Sequence, residues 1–187
     1  MTVHITGDPD ADRVLSESPF ALLLGMLLDQ QFPMERAFAG PARLQERFGP
    51  LDPERVAAAD PEEFAALCAQ APAVHRFPGS MAARIQAVAR VVLEEHGGRT
   101  ERIWTEAADG ADLLRRVAAL PGFGQQKAKI FVALLAKQLG VRPEGWESAA
   151  GDYALEGHRS VADVVDTASL EKVRAFKKEQ KAAAKRS

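Results

Sequence analysis

Residues 20–28 read FALLLGMLL, nine positions without a polar side chain. Pro19 stands immediately before them and suits the first position of a helix, where its missing N–H costs nothing. A helix over this run is apolar all round rather than along one stripe, so neighbours must cover every face of it. It is too short to cross a bilayer, which takes about 20 residues. The segment therefore demands a helical bundle of several layers with this helix at its centre. The run ends in the polar trio Asp29, Gln30 and Gln31, and Phe32 precedes a second helix begun by Pro33.

The remaining chain supplies further helices and no confident strand. Residues 1–8 read as strand or coil and 10–16 as a short helix. Gly40-Pro41 is expected to interrupt the helix begun at Pro33, leaving 42–48 as a separate one. The triplet Asp-Pro-Glu occurs at 52–54 and 60–62. Each is an Asp cap followed by Pro at the first helical position, which predicts helices over 53–58 and 61–70. Gly79-Ser80 should cap a helix over 81–96, stopped by Gly97-Gly98. A weak turn at 103–107 and helices over 112–119 and 125–139 follow. Residues 140–157 hold Pro143, Gly145, Gly151 and Gly157 and read as a long loop or broken segment. Residues 163–187 return to helix, with Phe176 as the last large anchor. The fold class expected is all-α, a single domain over 1–187.

Composition sets boundaries. Hydrophobic residues at 47% and charged residues at 27% exclude general disorder. The net charge of −2 is unevenly spread. Residues 171–187 hold seven Lys or Arg and two Glu, +5, which leaves −7 for the rest. A basic end on an acidic body steers towards a polyanion or is a solvated terminal helix. Cys68 is the only cysteine; it excludes an intrachain disulfide and a thiolate cluster, and reads as a buried thiol in a reducing cytoplasm. The first ten residues are polar, with two acids, and carry no targeting pattern. His4, His75, His96 and His158 are isolated, so no metal centre is expected.

The strongest local pattern is DLLRRVAALPGFGQQKAKIFVALLAKQLG, residues 112–140, within which a helix, a glycine turn and a second helix are read over 111–139. Gly122 and Gly124 permit backbone angles closed to other residues and leave N–H groups unobstructed. Together with the N-terminus of the helix opened by Gln125, they form an anion site suited to phosphate. Lys127 and Lys129 add charge to that contact. Phe123 reads as a wedge at the turn or a core residue. The alternative is an αα-hairpin whose glycines only turn the chain.

LPGFGQQKA resembles the hairpin of the helix-hairpin-helix base-excision DNA glycosylase superfamily (HhH-GPD). GMLLDQQF is similar to the segment ending in Gln-Gln in its alkylpurine branch, and the order and separation of the two motifs also match. The resemblance covers most of the chain, from about Pro19 to Asp152. It implies a two-part helical fold with a cleft into which a nucleotide is flipped. Duplex DNA is the expected partner, of a monomeric protein associated with DNA and with no membrane. The resemblance places Gln30 and Gln31 at the minor groove and pocket edge, and Asp29 at a pocket position that usually holds Ser. A monovalent cation at the hairpin carbonyls is a further implication.

Two departures narrow the activity. The strand-cutting branch has a lysine nucleophile two residues after the second hairpin glycine; here that position is Gln126, and an amide is no nucleophile. The iron–sulfur cluster of some members needs four cysteines, which one cysteine excludes. The resemblance also implies a catalytic carboxylate a little over twenty residues past Gly122. Glu144 fits that distance, and Asp152 fits the side chain if the loop has grown. Trp146 and Tyr153 are candidates for stacking on a flipped base. The activity expected is a monofunctional DNA glycosylase without a lyase step. The alternatives are a non-catalytic helix-hairpin-helix DNA binder and a helical protein whose glycine turn only packs.

Overall fold

A computed structural model describes residues 2–187, and its regular structure is all helical, with no strand among them. Met1 lies outside the described residues; the rest of the N-terminal arm is extended coil that buries Val3 and Ile5. Asp12 fixes the arm by accepting from the Ile5 and Thr6 N–H groups at 3.1 and 2.9 Å. Asp12 belongs to α1 (Pro9–Glu17), which leads through Ser18 into α2 (Pro19–Leu28). Every residue of α2 from Phe20 to Leu28 is buried, as an all-round apolar helix requires.

α3 (Met34–Phe48) packs on α2, and α6 (Pro78–His96) carries α4 (Pro53–Ala58) and α5 (Pro61–Ala69). Asp52 and Asp60 cap α4 and α5, each accepting from two N–H groups of the first turn. After α7 (Arg102–Thr105) the second part begins: α8 (Gly110–Ala118), the hairpin, and α9 (Gln125–Leu139). α10 (Trp146–Ala150) packs on both α8 and α9, and α11 (Thr167–Arg186) closes the chain.

Two sequence expectations are corrected. Gly40-Pro41 does not interrupt: α3 runs unbroken with Pro41 inside it. Burial explains this, because Gly40 lies against Leu28 so closely that a Cβ there would stand 2.7 Å from the Leu28 Cδ1. Packing on α2 outweighs the one backbone bond that proline removes. α6 starts at Pro78 rather than after Gly79-Ser80, with Phe77 as an N-cap that makes no side-chain cap bond. Of the two readings of 140–157, the structure shows the broken segment: it holds α10 and a 3-10 turn at Gly151–Ala154.

Candidate nucleic-acid interface

The hairpin is built as its sequence requires, but its two glycines serve different ends. Gly122 has φ +82°, and a Cβ on it would stand 2.6 Å from Leu27 Cδ1. It turns the chain and lets the hairpin close on α2. Gly124 has φ −86°, which any residue adopts, and a Cβ there would meet nothing within 4 Å. The expectation of a special backbone angle at Gly124 is thus corrected. The first bond of α9 runs from the Ala128 N–H to the Gly124 carbonyl, and no side chain caps the helix. The N–H groups of Gln125, Gln126 and Lys127 therefore have no acceptor within the helix, and the glycine beside them is exposed.

Phe123 points the other way: it is 6% exposed and packs edge-on to Phe131 at 6.3 Å. Lys127 is also turned inward. Its Nζ donates to the Leu27 carbonyl at 2.8 Å, at the C-terminal end of α2, and lies 5.8 Å from the Phe123 ring. Burial pushes its ammonium down to about 8, against the attraction of Asp29. Lys127 so placed joins α9 to α2 rather than reaching outward to a phosphate.

This burial has a pH consequence. The folded state loses the Lys127 proton near pH 8, whereas the unfolded chain holds it to about 10.5. Between these values the unfolded state binds more protons, so this group makes stability rise with pH. Urea unfolding at pH 7 and pH 10 should show a rise, and Lys127→Met should lack up to about 3 kcal/mol of it. An identical pH dependence in the two proteins would contradict the assignment.

A cleft of about 1420 Å³ separates the α2–α3 corner from α9 and the 3-10 turn. The corner contributes Asp29, Gln31, Phe32 and Glu35; α9 contributes Gln126, Lys129 and Ile130; the turn contributes Asp152 and Tyr153. α11 supplies a further wall. Gln126 Nε2 donates to the Tyr153 hydroxyl at 2.9 Å, linking α9 to the turn across the cleft surface. Asp152 is exposed, and its carboxylate accepts no hydrogen bond among the described residues.

The expected site residues separate. Gln30 faces inward: its carbonyl accepts from His75 at 2.8 Å and its Oε1 from Arg84 at 3.3 Å. The Phe77 N–H donates to His75 Nδ1 at 2.9 Å, so Nε2 carries the proton given to Gln30. Burial lowers the His75 pKa, which keeps the ring in this neutral, bridging form. Gln31 is exposed, lines the cleft and has φ +53°, a left-handed angle uncommon outside glycine. Glu144 lies outside the cleft lining; its carbonyl accepts from the Gly110 N–H at 2.7 Å, pinning the loop to the start of α8. Trp146 is 9% exposed, packed in the core beneath Arg142 rather than on the cleft wall.

Two features escaped the sequence reading. Phe77 is 46% exposed beside the Gln30–Gln31 corner, with the Arg76 guanidinium 5.2 Å from its ring. Nothing in the run HRFPG distinguishes an exposed phenylalanine from a buried one. The other is the position of α11 along the cleft, which periodicity does not encode. The hairpin carbonyls of Val117 and Leu120 already accept from the Leu120 and Phe123 N–H groups. A monovalent cation there would share oxygens already engaged.

Eight cations against three acids line the cleft beside the hairpin, so this all-helical fold is of a class suited to a polyanionic partner. Residues 24–186 match the family described as HhH-GPD superfamily base excision DNA repair protein, and the chain belongs to that superfamily. No curated protein and no solved structure matches it. No helix of the described residues is long and apolar enough to cross a membrane.

Proposed function

We propose that this protein is a monofunctional DNA glycosylase that hydrolyses the N-glycosidic bond of a damaged or deaminated base in duplex DNA. The observation that carries the reading is Asp152 on the cleft wall beside Gln126 and Tyr153, with the open N-terminus of α9 beginning one residue earlier at Gln125. The α9 N–H groups hold a backbone phosphate. Gln31 and Phe77, on the exposed corner, meet the bases by amide hydrogen bonding and stacking. A nucleotide flipped into the cleft then brings its sugar towards Asp152.

As the C1′–N bond breaks, positive charge builds on the sugar, and the carboxylate stabilises it. Water adds its oxygen to C1′, and its proton leaves for the departing base or the carboxylate. Gln126 supports the absence of a lyase step, because an amide forms no Schiff base with an abasic sugar. Borohydride should trap no covalent adduct between the protein and an abasic duplex. Trapping that disappears in Lys127→Ala would overturn the monofunctional reading.

The test of the activity is a panel of duplexes, each with one modified base, scored for abasic sites by alkali cleavage. Release of a base from one class supports the enzyme. The second reading, a DNA binder without chemistry, is favoured by one observation: nothing holds the Asp152 carboxylate in a fixed position. Tight binding with no base released from any duplex would replace the enzyme by the binder.

A further inference from the structure

The cations of α11 that line the cleft divide by what faces them. Arg174 NH1 lies 3.3 Å from Glu35 Oε1, and one turn later Lys177 Nζ lies 3.5 Å from Asp29 Oδ2. The Asp29 side chain is only 8% exposed, and Glu35 Oε2 is buried without a hydrogen-bond partner. Carboxylates withdrawn from water need compensating charge, and α11 supplies it to both. Arg174 and Lys177 are thereby committed to the protein. Lys178, Lys181 and Lys185 are different: all three are exposed, line the same cleft, and have no acidic partner within 4.0 Å among the described residues. Their i, i+3, i+7 spacing sets them along one face of the helix.

We propose that α11 is a second wall for the DNA backbone, in which Lys178, Lys181 and Lys185 hold phosphates of a strand running along the cleft. Arg174 and Lys177 dock the helix on the α2–α3 corner and do not touch the nucleic acid. The helix is itself fixed at its origin. Leu170 and Val173 are buried, and Lys137 pairs with Asp163 at 2.7 Å just before it. Gln138 Nε2 donates to the Ala162 and Val164 carbonyls, holding the same segment to α9. Seven helical residues rise about 10 Å, and a DNA strand presents a phosphate about every 3.4 Å along its axis. The three lysines therefore spread over the axial span of about four phosphates, so each can reach a different one. The proposal rests on the reading of the protein as a duplex-binding glycosylase and adds how the strand is gripped.

The test is a salt series with a fluorescent duplex carrying one abasic analogue, using the full-length protein. Neutralising three phosphate contacts in Lys178→Gln/Lys181→Gln/Lys185→Gln should reduce the slope of log affinity against log salt by about 2.7, about 0.9 for each. The thermal midpoint should stay unchanged, because these side chains are exposed. Arg174→Gln/Lys177→Gln should lower the midpoint and change the slope by less than about one. An unchanged slope in the triple variant overturns the wall. A slope loss in the double variant equal to that of the triple overturns the division of roles. If Gly124→Val weakens binding while the triple variant keeps its slope, the hairpin reading stands and α11 alone is rejected. No binding of any duplex by the unmodified protein rejects both.

Discussion

Replacing Gly124 by valine is expected to weaken binding to every duplex, by about tenfold to a hundredfold, with the fold intact. A Cβ at this position meets no atom of the protein within 4 Å, and φ is −86°, so the protein tolerates a side chain there. The obstruction falls on whatever approaches the N-terminus of α9. Loss of one or two charge-assisted hydrogen bonds from backbone N–H to phosphate costs about 1.5–3 kcal/mol, which gives that range. The loss should be uniform across sequences, since the contact reads phosphate and not bases. It should also leave most of the salt slope, because the α9 N–H groups carry no counter-charge of their own. Gly122→Val is the contrasting variant. There φ is +82° and a Cβ would press on Leu27, so lowered thermal stability should accompany any loss of binding. Unchanged affinity in a folded Gly124→Val protein would remove the hairpin from the interface.

Asp152→Asn is expected to slow single-turnover base release by about two or more orders of magnitude, with affinity nearly kept. The substitution preserves shape and removes the anion. A carboxylate near the sugar matters more as positive charge develops than in the bound substrate, so its loss falls on the chemical step. Glu144→Gln should leave the rate within a few-fold of the unmodified protein. Its part in the fold is a backbone one, the carbonyl bond to Gly110, which the substitution spares. Binding and single-turnover rates measured on the same duplex separate the outcomes. Equal rates in Asp152→Asn and the unmodified protein would withdraw the carboxylate assignment, and a large loss in Glu144→Gln would transfer it.

Lys127 marks where reading by spacing ran out. Its position in the first turn of α9 suggested an outward charge near the phosphate site. Helical phase relative to α2 turned it inward, where the free Leu27 carbonyl at the end of α2 receives its ammonium. Gln30 and Gln31 diverge for a related reason. Neighbours in sequence, they part because the chain leaves α2 through a left-handed turn at Gln31. One amide faces Arg84 and the other the cleft.

Local and near-local features were legible in the sequence. These are the central apolar helix, the Asp-Pro-Glu caps, the glycine stop after α6, the extent of α9 and the hairpin between its helices. Each follows from propensity, capping or periodicity within a few residues, where the physics is short-ranged. Membership of the base-excision-repair superfamily was legible in the same way, through two motifs in order. Only the tertiary structure decided which expected residues share a surface. It brought Asp152, Gln126 and Tyr153 to one cleft, left Glu144 at the start of α8 and buried Trp146. It also laid α11 along the cleft by pairing Arg174 and Lys177 with Glu35 and Asp29. These pairings join residues more than a hundred positions apart, and nothing in either segment alone encodes the other's place. Burial and charge compensation act on the assembled packing, so they appear only once the helices are set against one another.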